Sequence, residues 1–237
     1  MTAPNNDNLA ILIDADNAQA SPIHELLEEV SRYGTASVKR AYGDWSTPQL
    51  KKWKEELHTH AIKPVQQFSY TKGKNATDSA LIIDAMDLLH TGDLNGFCLV
   101  SSDSDFTPLA TRIRESGLVV YGFGERKTPQ PFVAACDKFI YTDILKPPKT
   151  KGTDRRPKLP SPKKKLLEAI DKAAGDDGWA NLGTVGSMLV KNDPSFDSRN
   201  YGFRKLIELV KEQPYLEVRK EKSGSGAGGT TISVRLK

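Results

Sequence analysis

The sequence predicts an α/β fold, a parallel sheet covered by helices on both faces, followed by a small winged helix-turn-helix domain. Three observations predict it. Short apolar runs alternate with helical patterns from residue 9 to residue 124. Those runs are continuous rather than alternating, as expected of strands buried on both sides. Beyond a basic, proline-rich stretch, three helical patterns are followed by two strand patterns separated by glycines.

In chain order the first part reads LAILID, a helix over 21–33, ASVKRAYG, a helix over 47–60, IKPVQQFS, a helix over 76–90, GFCLVSS, a helix over 106–116, and LVVYGFG. Strand and helix in strict alternation place successive strands parallel, because each helix must carry the chain back across the sheet. In such sheets functional groups gather past the carboxyl ends of the strands, near the point where strand order reverses.

KPPKTKGTDRRPKLPSPKKK follows, with prolines at 147, 148, 157, 160 and 162 and almost no apolar residue to bury. It reads as a semi-extended linker. The expected domains are therefore 1–145, a linker at 146–162, and 163–237. Charge is divided unevenly between them. Residues 1–145 carry 14 basic and 19 acidic side chains, and residues 146–237 carry 20 and 11, which gives the chain its net +4. Within 146–165, nine basic residues stand against Asp154 alone. That stretch is either a solvated spacer or a tether for a polyanion, since clustered Lys and Arg release counterions from phosphates.

Downstream, KKLLEAIDKAA, LGTVGSMLVK and SRNYGFRKLIELVKE read as three helices, and YLEVRKEK and TTISVRL as a hairpin around SGSGAGG. This is the pattern of a winged helix. Residues 166–237 hold 11 basic and 10 acidic side chains, too even a balance for a typical duplex-DNA binder. On the third helix Arg199, Arg204 and Lys205 are the candidates for contact with a nucleic-acid backbone, while Tyr201, Phe203, Leu206 and Val210 are expected to pack inward.

The sequence begins without the basic start and apolar stretch of a secretory leader, and no run of about 18 apolar residues occurs. A cytoplasmic protein without membrane contact is the expectation. Cys98 and Cys136 are too few for a disulfide framework and lack zinc-binding spacing.

The chemistry points to acids. LAILID ends in Asp14, followed by Ala15, Asp16 and Asn17, and LVSSDSDF delivers Asp103 and Asp105 at the end of another apolar run. In the helix over 76–90, Leu81, Ile82, Ala85, Leu88 and Leu89 form the core stripe, and Asp78 continues it one step backwards. Asp84 and Asp87 fall on the opposite face, where they need no explanation. A carboxylate on a buried stripe is costly unless compensated. Asp78 is then either a first-turn capping residue or part of a site. Carboxylates converging on one sheet edge require a counter-cation, and oxygen-only ligands suit Mg2+ or Mn2+ rather than zinc. The expected ligands are Asp14, Asp78 and Asp103, with Asp105 as a further ligand or the group that orients water. Asn17, Ser101 and Ser102 are expected to hold these carboxylates by hydrogen bonds. Lys72 and Lys74, in the TKGKNATD loop, are candidates to meet a substrate phosphate.

ILIDADN, KGKNATDSALIIDAM and LVSSDSDFTPLATRIRESG resemble the three signature blocks of the NYN domain, a PIN-like nuclease, with the LabA-like bacterial branch most similar. The resemblance spans residues 8–145 and implies a PIN-like Rossmannoid sheet. It further implies a metal-dependent ribonuclease with its acids at Asp14, Asp78, Asp103 and Asp105 and the first block's asparagine at Asn17. CDKFIYTDIL resembles the closing strand of this branch, leaving Asp137 as either a lower-ranked acid or a structural one. Residues 163–237 resemble the OST-HTH, or LOTUS, winged helix, which implies RNA or a protein as partner. Two alternatives stand beside the nuclease. One is a haloacid-dehalogenase-type phosphatase with Asp14 as nucleophile and Asp16 as acid, although Asn17 stands where that pattern wants Thr or Val. The other is a non-catalytic module that binds RNA or protein.

Overall fold

The computed structural model describes residues 7–68, 76–145, 160–222 and 230–237. Lys72, Lys74, most of the basic linker and the glycine-rich wing tip lie outside the described residues. The chain divides into two compact units, Met1–Pro147 and Pro148–Lys237.

The first unit is a six-stranded, wholly parallel sheet of β1 (Asn8–Asp14), β2 (Thr35–Gly43), β3 (Lys63–Gln66), β4 (Gly96–Val100), β5 (Val119–Gly124) and β6 (Lys138–Tyr141). Its order is β3-β2-β1-β4-β5-β6, so the direction of winding reverses between β1 and β4. That pair is the switch point at which such sheets open a crevice. Helices α1 (Ile23–Val30) and α2 (Lys51–Thr59) cover one face; α3 (Ala76–Thr91), α4 (Thr107–Glu115) and α5 (Gln130–Ala135) cover the other.

Strand alternation sorts the core between these faces. In β1, Leu9, Ile11 and Ile13 pack with α1 and α2, and Ala10 and Leu12 with α3 and α4. In β4, Cys98 and Val100 join the first group, and Phe97 and Leu99 the second. Every residue from Leu9 to Asp14 is buried, which explains the unbroken apolar run in the sequence.

Two local readings are corrected. The stretch over 47–60 is not one helix: Pro48–Leu50 forms a 3-10 turn before α2. Asp84 is not a solvated residue without a partner, because it accepts hydrogen bonds from the Arg40 guanidinium and the Tyr42 hydroxyl. Tyr42 is itself fully buried in β2, so its hydroxyl needs that acceptor. The short α5 was not foreseen, since six residues with one proline before them and another at their second position carry no helical period.

The second unit contains α6 (Lys163–Ala173), β7 (Ala180–Asn181), α7 (Leu182–Asn192), α8 (Leu206–Lys211), β8 (Leu216–Lys222) and β9 (Thr230–Leu236). Its antiparallel sheet has the order β7-β9-β8. Leu166, Ile170, Val185, Leu189, Leu209, Val210 and Val234 meet in one core. The third helix is shorter than the periodicity predicts. Ser198–Tyr201 is a 3-10 turn, Gly202 takes a left-handed conformation at φ 89°, and the chain is extended at Lys205 before α8 begins. A left-handed residue ends a helix, and glycine adopts it without steric cost.

Candidate active site

Because side chains alternate across a strand, Asp14 continues the row of Ala10 and Leu12 and faces α3. Asp14 has no solvent exposure. Its carboxylate is held by three donors: the Ser101 hydroxyl to Oδ2 at 2.7 Å, the Asn17 side-chain amide to Oδ2 at 3.0 Å, and the Asn17 backbone N–H to Oδ1 at 3.3 Å. Burial pushes the Asp14 carboxyl above its ordinary range, with these hydrogen bonds opposing the shift.

Ser101, just past the end of β4, also accepts the Asp103 backbone N–H at 3.1 Å. Asp103 in turn accepts the Asp105 backbone N–H at 2.9 Å and so caps the 3-10 turn Ser104–Phe106. This chain of bonds runs from the buried strand end to the half-buried Asp103 and the exposed Asp105. From the other side comes Asp78, in the first turn of α3 and buried in line with Leu81 and Ala85. A helix N-terminus favours a carboxylate. Even so, burial first, then the charges of Asp14, Asp103, Asp105 and Asp16, push Asp78 up to about 6.

Carboxylate oxygens of Asp78, Asp103 and Asp105 lie within 4.8 Å of one another. A six-coordinate Mg2+ about 2.1 Å from each ligand sets its oxygens roughly 3 to 4.2 Å apart, and a trio lying within 4.8 Å of one another is close to that span. The donor set is all oxygen, as a hard cation requires. Among the described residues Asp14 is not a member of this trio; it stands behind it and loads its charge onto Asp78.

The other expected residues separate. Ser102 holds none of the acids; its oxygen accepts the Glu125 backbone N–H at 2.8 Å, tying the exits of β4 and β5. Asp137 serves the opposite end of the sheet, accepting the Val120 N–H and pairing with Arg114. In the second unit Arg199 is clamped to Asp197 by two side-chain hydrogen bonds, at 3.0 and 2.7 Å. Arg204 and Lys205 are exposed, ahead of α8 rather than on a helix. Asp16, which follows Asp14 by two residues, was missed as a positioning group. It accepts the Thr77 hydroxyl at 2.7 Å and so fixes the start of α3 against the end of β1.

Comparison with known proteins agrees with this architecture. The NYN domain family matches residues 8–145, and the OST-HTH/LOTUS domain family matches residues 157–227. No curated protein matches the chain. Among solved structures, a Vibrio parahaemolyticus protein of unknown function is 20% identical, with 60% of this chain and 96% of that chain covered and a TM-score of 0.49. An uncharacterised Nitrosomonas europaea protein is 32% identical, with 38% and 91% covered and a TM-score of 0.31. A Chromobacterium violaceum protein is 39% identical, with 33% and 83% covered and a TM-score of 0.28. Among the described residues no helix is long and apolar enough to cross a membrane. With its parallel sheet, its acids at the switch point and a family match over residues 8–145, the chain belongs to the NYN domain family of PIN-like nucleases, and carries an OST-HTH/LOTUS domain after it.

Proposed function

We propose that the NYN domain hydrolyses RNA phosphodiester bonds at the acidic cluster with Mg2+ or Mn2+, and that the OST-HTH/LOTUS domain recruits the RNA or a protein partner. One observation carries this reading: carboxylates from two separate elements, Asp78 on α3 and Asp103 and Asp105 after β4, share a space of less than 5 Å at the switch point of the sheet. Asp78, Asp103 and Asp105 would hold the ion. When bound, it supplies an activated water and neutralises charge developing on the phosphate oxygens.

The chain's own residues supply the rest. Asp103 is fixed by its bond to Ser101, and Asp78 by the Thr77–Asp16 contact beside it. Asp14, immobilised by Ser101 and Asn17, stands as a buried carboxyl behind the trio. Asp105, at the exposed margin, would serve as that third ligand or as the group that orients the attacking water. A phosphatase using Asp14 as nucleophile finds no support in this geometry, because that carboxylate is wholly buried and hydrogen-bonded.

The test is incubation of the full chain with labelled unpaired RNA in Mg2+, in Mn2+ and in chelator. Cleavage requiring a divalent cation and falling by at least about 100-fold in Asp103→Asn is expected. RNA left intact in both metals would leave a binding protein without hydrolytic activity.

A further inference from the structure

Beside the acidic cluster, and sharing Asp103 with it, lies an open recess of about 160 Å³ bounded by Asn17, Ser102, Asp103, Ser104, Lys127 and Pro129. Its walls come from two strand exits, β1 and β4, and from the loop after β5. Of its lining residues, Ser102, Ser104 and Lys127 carry side chains able to donate hydrogen bonds. The Ser102 oxygen is already occupied by the Glu125 N–H, which leaves its own proton to donate elsewhere. Ser104 offers a second hydroxyl, and Lys127 an ammonium.

Lys127 is 71% exposed and pairs with Glu125 at 3.0 Å; Glu125 is steadied by the Gln19 amide at 3.1 Å. An exposed ion pair of this kind is worth about 0.2–1 kcal/mol. A phosphate contact that releases a counterion from RNA is worth at least as much at low salt. The lysine can therefore exchange Glu125 for a phosphate at little cost, swinging its four-carbon stem over the recess. The recess is open to solvent and far larger than one water needs, which leaves room for a phosphate group.

We infer that this recess receives the phosphate of the nucleotide adjoining the scissile bond, with Lys127 as its cation and Ser102 and Ser104 as donors. The inference rests on the hydrolytic reading for the word scissile, and on the recess itself for the phosphate. Glu125 is the competitor that holds Lys127 when no strand is present. Charge logic then assigns opposite signs to two neighbouring substitutions: removing Lys127 weakens RNA binding, and removing the charge of Glu125 strengthens it.

The experiment uses the full chain and a fluorescently labelled, unpaired 12-nucleotide RNA. Binding is read by anisotropy in chelator over a series of salt concentrations, and cleavage separately in Mn2+. Lys127→Gln is expected to weaken binding by about fivefold and to lower the salt slope by about 0.7, the increment for one phosphate contact on a single strand. Its KM should rise while kcat changes by less than about twofold, and Lys127→Arg should retain binding. Glu125→Gln should bind about twofold more tightly. Unchanged affinity and slope in Lys127→Gln, or a shift of Lys127→Gln and Glu125→Gln in the same direction, would overturn the inference, the latter marking the pair as a brace. A wild-type chain that binds RNA without cutting it defeats the hydrolytic reading alone, and one that binds no RNA defeats both.

Discussion

The Ser101 hydroxyl donates a 2.7 Å hydrogen bond to the carboxylate of Asp14, joining the end of β4 to the end of β1 where the strand order reverses. The same oxygen accepts the Asp103 N–H, so one small side chain positions both the buried and the half-buried acid. Ser101→Ala removes one of three donors to a fully buried carboxylate. It should cost about 1–3 kcal/mol of stability, read as a lower urea midpoint at unchanged slope. It should also lower cleavage, because Asp103 loses its anchor. Wild-type stability in this variant would mean that water replaces the hydroxyl without loss.

Much of this site was legible in the sequence for a physical reason. An apolar run that stops at an acid marks a strand exit, and an acid on a helix's apolar stripe marks a buried carboxylate, so Asp14, Asp78 and Asp103 could be named without coordinates. What escaped were relationships that local periodicity does not encode. Arg40, Tyr42 and Asp84 form a network between residues more than forty positions apart, and Asp84 sits on the less apolar side of α3. Lys127 gains significance only because the loop after β5 exits beside the one after β4. The break in the third helix turns on Gly202 adopting positive φ, which NYGF permits but does not require.

Gly124, the last residue of β5, allows a close approach. A Cβ there would meet the Ser101 carbonyl oxygen at 2.5 Å and the Thr128 hydroxyl at 2.7 Å. Backbone cannot yield as a flexible side chain can. Gly124→Ala should therefore separate β4 from β5 at the site and cost about 1–3 kcal/mol by overpacking. Its cleavage should fall more than that of an equally destabilised core variant far from the site, such as Ile113→Val. Loss of activity proportional to stability alone in both would refute the positional argument.

In the OST-HTH/LOTUS domain the three cations named from sequence should part company. Arg199 spends its guanidinium on Asp197, whose other contact caps the Ser198–Tyr201 turn through the Arg199 N–H at 2.9 Å. Arg199→Gln should lower thermal stability by about 1 kcal/mol with little change in RNA affinity. Arg204 and Lys205 are exposed, and their backbone N–H groups donate to the Glu208 carboxylate. The double change Arg204→Gln, Lys205→Gln should leave stability within about 0.5 kcal/mol of wild type. If this domain holds RNA through them, that variant weakens binding and flattens its salt dependence. An unchanged salt slope would redirect attention to a protein partner.

Asp78 carries the pH prediction. Its carboxyl in the folded, metal-free protein titrates at about 6 against an ordinary 3.8, so the folded state holds this proton more tightly than the unfolded chain does. The resulting stabilisation is present in full below about pH 4 and is lost as pH rises through 6, at most about 3 kcal/mol for this group. A divalent cation has the reverse dependence, because it binds the ionised form. At a concentration 100 times its Kd it would restore about 2.7 kcal/mol. Thermal denaturation with and without Mn2+ should therefore show a cation-induced rise in Tm that is large at pH 7.5, shrinks through pH 6 and is nearly absent at pH 4.5. Asp78→Asn should melt higher than wild type at pH 7.5 in chelator, since the uncompensated charge is gone, and should respond far less to Mn2+. A Mn2+ shift that is independent of pH, or one retained in full by Asp78→Asn, would place the cation somewhere other than between Asp78, Asp103 and Asp105.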